Sequence, residues 1–340
     1  MRWNFPKVLL LIMVGAIVIP IIVTFGLNLF GWSRHSERSS IQINVHVTGS
    51  GLVSMDLEEY IKGVVAAEMP AEFELEALKA QAVAARTYAV KKMVRFGGPG
   101  CDRHPGADIC TDYTHDQAWT SFSELKQKYG FISNLRVLAK IDRAVEDTRG
   151  IVATYAGVPI DAIYHANSAG VTEDSEKVWG HYIPYLRSVR TNLPAEQRDI
   201  NRKSFSLSEL STLLGAQISL ADLRSGRQLL PGEVVLASTG QGSGLEVLER
   251  SHTGRVVYLN VGGRKIRGID FRSRLGLKST NFTWTIDGDQ VSFMTLGNGH
   301  GVGMCQYGAN ALAKSGKSYT EILAHYYTGI KLQNIQELTR

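Results

Sequence analysis

The run Val64-Val65-Ala66-Ala67-Glu68-Met69-Pro70, followed by Leu78-Lys79-Ala80-Gln81-Ala82-Val83-Ala84-Ala85-Arg86-Thr87-Tyr88, sets one carboxylate in an apolar segment against a proline. Proline disfavours helical geometry in the residue before it, so Glu68 is expected at the end of a short helix that begins near Asp56, with Asp56 and Glu59 as a variant of the capping box. The acid then stands at a helix mouth rather than along a face. A second helix is expected from about Phe73 to Val94, because alanine favours the helical state and lets neighbouring backbone come close. Lys79 and Arg86 lie seven apart on it, hence on one face. The plain alternative for Glu68 is a cap or a surface ion pair.

Outward from this helical pair, Ile41–Val47 alternates apolar and polar residues and reads as a strand. Gly97-Gly98-Pro99-Gly100 stops the second helix, Ser121 and Glu124 form a capping-box pattern, and a further helix runs from about Leu135 to Asp147. Strands follow at Ile151–Tyr155 and Pro159–Tyr164. The segment 194–230, with Ser206 and Glu209 as another capping box, reads as a small helical insertion. From Gly232 to Leu296 the pattern is almost wholly β, with strands at Glu233–Ala237, Leu245–Glu249, Val256–Val261, Thr283–Ile286 and Val291–Thr295, and Asp287-Gly288 as a hairpin turn. Helices at Met304–Lys314 and Tyr319–Tyr327 close the chain. Grouped helices argue a mixed α+β architecture with antiparallel strands rather than a doubly wound sheet.

Val8–Phe30 is an uncharged run of 23 residues, and about 20 suffice to cross a bilayer. It predicts a transmembrane helix within an N-terminal anchor, 1–39, ahead of an ectodomain, 40–340. A cleaved signal peptide is the rival, but no convincing cleavage site follows, and Trp32 suits an interfacial anchor. Arg2 and Lys7 before the run and Arg34 and Arg38 after it leave orientation open. About 310 residues remain, enough for one large or two ordinary domains. The net charge of +5 is spread without a long basic run, which excludes nucleic acid as the expected partner.

Three separated blocks, in order, carry a family resemblance: Val64–Pro70 with Glu76–Tyr88, then Tyr164–Glu173 with Val178-Trp179-Gly180, then Gly299–Ala309. The chain resembles the stage II sporulation protein D family of peptidoglycan lytic transglycosylases over most of its length beyond residue 40. That resemblance implies cleavage of glycan strands between muramic acid and glucosamine, leaving a 1,6-anhydro end. It also implies a single-pass protein of the mother-cell membrane facing the septal wall, needed for engulfment alongside other engulfment membrane proteins. A sporulation amidase and endopeptidase that strips stem peptides would act with it.

The residues fit such chemistry. A carboxyl in apolar surroundings keeps its proton near neutral pH because burial disfavours the charged form, so Glu68 is the expected acid, then base. A hydrolase normally adds a second carboxylate, whereas a transglycosylase lets the muramic C6 hydroxyl attack, and no clear second acid sits in the matching blocks. Lys79 and Arg86 match positions the resemblance marks as functional and are assigned to the lactyl carboxylate of peptide-free glycan. The alternative is surface pairing with Glu72, Glu74 or Glu76. Tyr164, His165, Asn167 and Ser168 read as a sugar-binding loop at a strand end; the family pattern commonly has glycine where Ala169 stands. His300, Gln306 and Tyr307 surround glycines 297, 299, 301 and 303, where missing side chains let a glycan approach main chain.

Cys101, His104, Cys110 and His115 supply two thiols and two imidazoles within fifteen residues, a tetrahedral inventory for structural zinc. Relatives in the family similarly bind zinc through a His, a Cys and then a His-Cys pair. Here Asp116 occupies the last cysteine's place, so the fourth ligand is Cys101 or Asp116, and a Cys101–Cys110 disulfide is the rival. Cys305 reads as a buried small hydrophobe. Two further functions stay open: a non-catalytic, glycan-binding amidase enhancer, and a zinc-dependent hydrolase.

Overall fold

A hairpin opens the described chain: β1 (Gln42–Val47) and β2 (Gly51–Asp56) pair antiparallel with Val47 opposite Gly51. The sequence hid β2, because Gly49 and Gly51 read as punctuation; both take positive φ, near 82°, where the hairpin turns. Asp56 ends β2 and caps α1 (Leu57–Glu68), its Oδ1 accepting the amides of Glu58 at 2.8 Å and Glu59 at 3.3 Å. The Glu59 carboxylate turns to Lys62 instead of completing a capping box. Met69, extended before Pro70, stops the helix at Glu68. Then come α2 (Leu75–Lys92), β3 (Ile109–Cys110) parallel to β1, α3 (Phe131–Glu146), β4 (Ile151–Tyr155) and β5 (Val158–Pro159). The next elements are β6 (Tyr164–His165) and the short α4 (Ser175–Trp179).

The computed structural model describes residues 40–338, apart from 122, 126–130, 192, 227, 229 and 234–243. Val8–Phe30 and most of the strand expected at Glu233–Ala237 lie outside the described residues. Among the described residues no helix is long and apolar enough to cross a membrane.

Helix α2 is buried on every side. Ala77, Leu78, Ala80, Ala82, Val83, Ala84, Ala85, Ala89 and Val90 are all inaccessible, and α1, α3 and β4 pack against them, as do two C-terminal helices. A helix apolar all round belongs inside, and alanine lets neighbours approach from each direction. Polar groups buried on it find partners inside the fold: the Thr87 hydroxyl donates to Val83 O and accepts the Ala153 amide. Arg86 has no exposed surface. Its Nε and Nη2 donate to both oxygens of the buried Glu58 at 3.0 and 2.6 Å, and its remaining donors reach Ile151 O and Val145 O. This pair ties α1, α2, α3 and β4 together.

The rest is a second, β-rich core. Strand β7 (Ile200–Ser206) leads into α5 (Leu207–Leu214), closed by the reciprocal Ser206–Glu209 capping box, and then α6 (Leu220–Ser225). Reading 194–230 as helical therefore omits a strand. β7 is an edge strand in which only Phe205 is buried, so it lacks the alternation that would announce it. Strands β8 (Leu245–Arg250), β9 (Val256–Val261) and β10 (Arg264–Arg267) form one antiparallel sheet. Helix α7 (Gly268–Leu275) interrupts the stretch read as wholly β, burying Phe271 and Leu275 one turn apart. Strands β11 (Phe282–Asp287) and β12 (Gln290–Leu296) join β7 in a second sheet through the expected hairpin. Phe205, Phe271, Phe282, Trp284 and Phe293 fill the space between. Strand β13 (Met304–Cys305) then pairs parallel with β6, followed by α8 (Gln306–Lys314), α9 (Tyr319–Tyr326) and β14 (Lys331–Asn334) against β4.

Removing one partner of a buried ion pair leaves a bare charge, typically at a cost of about 3–5 kcal/mol. Glu58→Ala is expected to lose that much in urea unfolding, while Glu58→Leu combined with R86M recovers most of it.

Candidate active site

Glu68 is the last residue of α1 and half-buried. Its Oε1 accepts the Ala118 amide at 3.0 Å, and its Oε2 faces Gln306 Nε2 at 3.4 Å. Gln306, the first residue of α8, also reaches Gln81 Oε1 on α2 at 3.4 Å. Gln117 donates to the Tyr164 hydroxyl at 2.9 Å and accepts from Tyr60 at 3.3 Å. One acid thus sits among neutral donors from three segments far apart in sequence, Ala118, Tyr164 and Gln306. Burial raises its pKa above the ordinary carboxyl value, against the opposing pull of the Ala118 amide, Gln306 and Tyr164. Among the described residues no second carboxylate pairs or hydrogen-bonds with it.

Of the expected substrate residues, Tyr164 and Gln306 reach this network and the others are placed differently. Arg86 is sealed beneath Glu58, so it cannot read a lactyl carboxylate without unfolding the core. Lys79 is held between Glu76 at 2.9 Å and Asp147 at 3.0 Å. Neither cation is free for the substrate, so the preference for peptide-free glycan loses its assigned residues. His165, Asn167 and Ser168 are buried and build the loop instead. The His165 ring nitrogen Nδ1 donates to Val302 O, the Asn167 amide bonds Gln197 O and the Ala169 N–H, and the Ser168 hydroxyl pairs with Thr191. Ala169 takes a left-handed φ of 60°, the conformation that the family's glycine would adopt without strain.

His300 supports Tyr164 from behind. Its Nε2–H donates to Tyr164 O at 3.0 Å and its Nδ1 accepts the Val302 amide, which fixes a neutral ring; burial and Arg272 bring its pKa down to about 4. Tyr307 is 37% exposed and packs edge-on against Phe73. Sequence reading missed Tyr60, Gln117 and Ala118. Ala118 acts through its backbone, which leaves no signal in its side chain. Gln81, a lone amide in a buried alanine run, was the one visible hint.

The thiol and imidazole inventory closes differently from the expected set. Cys101, Cys110, His115 and Asp116 place ligand atoms within 4.8 Å of one another. His104 stands outside, its ring stacked on His46 with centroids 3.5 Å apart. The correction follows from chain direction: β3 carries Cys110 beside β1, and His104 falls on His46 of that same strand. Two thiolates, one imidazole and one carboxylate suit tetrahedral zinc and would leave no open position for catalytic water. Both cysteines are free thiols, and burial with the Asp116 carboxylate pushes Cys110 up to about 12. Asp116 also binds Lys92 and Tyr88 of α2, and Gln117 and Ala118 follow it directly. The cluster therefore fixes the segment that delivers the Ala118 amide to Glu68.

Comparison with known proteins gives the family. A family model described as Stage II sporulation protein matches residues 50–155. The chain is 36% identical to Stage II sporulation protein D of Bacillus amyloliquefaciens, over 87% of this chain and 80% of that protein. Against Stage II sporulation protein D of Bacillus subtilis (strain 168) the identity is 36%, with the same coverage. It is also 30% identical to the Amidase enhancer of Bacillus subtilis, covering 80% of this chain and 40% of that protein.

Two outcomes test the site's construction. A Cβ at Gly63 would fall 2.2 Å from Trp119 Nε1, so Gly63→Ala is expected to displace the segment holding Ala118 and lower stability by about 1–3 kcal/mol in thermal unfolding. If the four-residue cluster holds zinc, metal analysis of the purified protein gives close to one zinc per chain. Cys110→Ser or Asp116→Ala then reduces both metal content and melting temperature, while His104→Ala leaves the metal in place.

Proposed function

The chain belongs to the stage II sporulation protein D family, a sporulation family, and from that premise we propose that it is a peptidoglycan lytic transglycosylase with Glu68 as its single acid and base. The observation that carries the reading is a half-buried carboxyl of raised pKa with neutral donors on both oxygens and, among the described residues, no carboxylate partner. Protonated Glu68 gives its proton to the glycosidic oxygen as the bond from muramic C1 breaks. The carboxylate then takes the proton of the muramic C6 hydroxyl as that oxygen bonds to C1, which closes the 1,6-anhydro ring and restores the acid. Ala118 N–H and Gln306 stabilise the carboxylate between the two transfers, and Tyr164, held by Gln117 and His300, lines the same wall. The Cys101–Asp116 cluster acts structurally in this scheme. We assign Val8–Phe30 as the membrane anchor and a wall amidase as the functional partner. The relative named Amidase enhancer supports a second reading, in which the same site binds glycan without cutting it.

Mass spectrometry of digested glycan strands separates these readings: 1,6-anhydro ends are expected from this chain and none from Glu68→Gln. Reducing ends would make it a hydrolase, and intact glycan would leave the enhancer reading. Because the fold raises the Glu68 pKa, activity needing the protonated acid is expected to extend to higher pH than an ordinary carboxyl would allow, and to fall as pH rises through that raised value. The same shift means that charging Glu68 opposes folding, so Glu68→Gln is expected to be at least as stable near neutral pH, with the difference vanishing at acid pH.

A further inference from the structure

A cavity of about 460 Å³ opens between α4 and the sheet of β8, β9 and β10, within the range of roughly 300–1,000 Å³ typical of small-molecule sites. Trp179 and Tyr258, both half-buried, face it, together with Lys177, Glu249, Arg255 and Arg267. Its charges are largely neutralised within the protein. Lys177 pairs with Glu249 at 2.8 Å and Arg267 with Asp270 at 3.0 Å, while the buried Glu173 is met by the hydroxyls of Ser251 and Thr253. The fully buried Arg255 donates to Ser168 O and Val171 O, and its Nε is left without an acceptor. Aromatic faces beside neutralised, hydrogen-bonding groups suit a polar but uncharged ring better than an anion.

The cavity shares its wall with the acid's scaffold. Tyr164 faces Glu68 with its hydroxyl and accepts His300 Nε2–H on its carbonyl, and the His300 ring lies against Trp179 with centroids 5.5 Å apart. Next along the same loop, Gly301 leaves room for Arg255, since a Cβ there would fall 2.4 Å from its Nε, and Gly301 O accepts the Glu173 amide. Two residues, Tyr164 and His300, thus stand between Glu68 and the Trp179 wall.

We propose that this cavity is a distal subsite that takes a neutral N-acetylhexosamine unit of the strand on which Glu68 acts, with Trp179 against the sugar ring; this rests on the glycan reading above. The test uses the full chain carrying Glu68→Gln, in a detergent without sugar, and calorimetric titration with chitotriose and chitopentaose. The pentamer is expected to bind at least tenfold more tightly than the trimer. Trp179→Ala should remove that gain, and Tyr258→Ala, which does not touch His300, should reduce it severalfold. Equal affinity for the two oligomers, or a gain that both variants retain, overturns the subsite. Product analysis is a separate readout. A length-dependent gain without anhydro ends from the unsubstituted chain keeps the subsite and overturns the transglycosylase reading, and anhydro ends without the gain do the reverse.

Discussion

A guanidinium with no exposed surface has to be met by a carboxylate where it stands, and in this fold Arg86 and Glu58 meet where α1, α2, α3 and β4 converge. The Gly150 amide adds a further bond to the same carboxylate at 3.1 Å. Such a pair contributes little net stability over an apolar substitute, because both charges lose their hydration. What it supplies is geometry. Glu58 sits in the first turn of α1 and Glu68 at its end, ten residues or about 15 Å along the axis. Fixing the first turn against α2 therefore fixes where the acid emerges.

The same pair settles an electrostatic conflict that the sequence raises. Lys79 and Arg86 lie on the helix after Glu68, and a cation near an acid lowers its pKa. In the fold each cation already has its own carboxylates: Arg86 has Glu58, and Lys79 has Glu76 and Asp147. Burial thus dominates at Glu68, and its proton is held above the ordinary range. Two residues that read as substrate contacts instead serve the acid indirectly, one by bracing the helices and the other by remaining neutralised at a distance.

Signals confined to a few neighbouring residues survived translation from sequence to fold. The Asp56 cap, the Pro70 stop and the Ser206 capping box all mark their helices, because each depends on contacts within one turn. β7 and β14 were illegible because their pairing partners lie elsewhere and their burial does not alternate cleanly, and β2 because the glycines of its hairpin read as punctuation. At the site, Glu68, Gln306 and Tyr164 were legible through the resemblance. Asn167 and Ser168 were misread for a physical reason: polar side chains that shape a buried loop look, in sequence, like those that greet a ligand. Only their hydrogen-bond partners distinguish the two.

The remaining contact explains why a cysteine-rich loop lies beside Glu68 at all. A backbone N–H can steady a carboxylate only if its own segment cannot drift, and residues 117–121 include no helix or strand of their own. They are pinned instead at one end. Asp116 is bound by Cys110 N at 2.9 Å, by Tyr88 and by Lys92, and Trp119 lies on the face that Gly63 leaves bare. Two residues beyond Asp116, the Ala118 amide reaches Glu68. The cluster is thus coupled to the acid through a short, covalently continuous path, and α8 braces the other oxygen through Gln306. An acid at a helix mouth would otherwise turn toward water; here its two oxygens are held by segments far apart in the chain, with no local reason to meet.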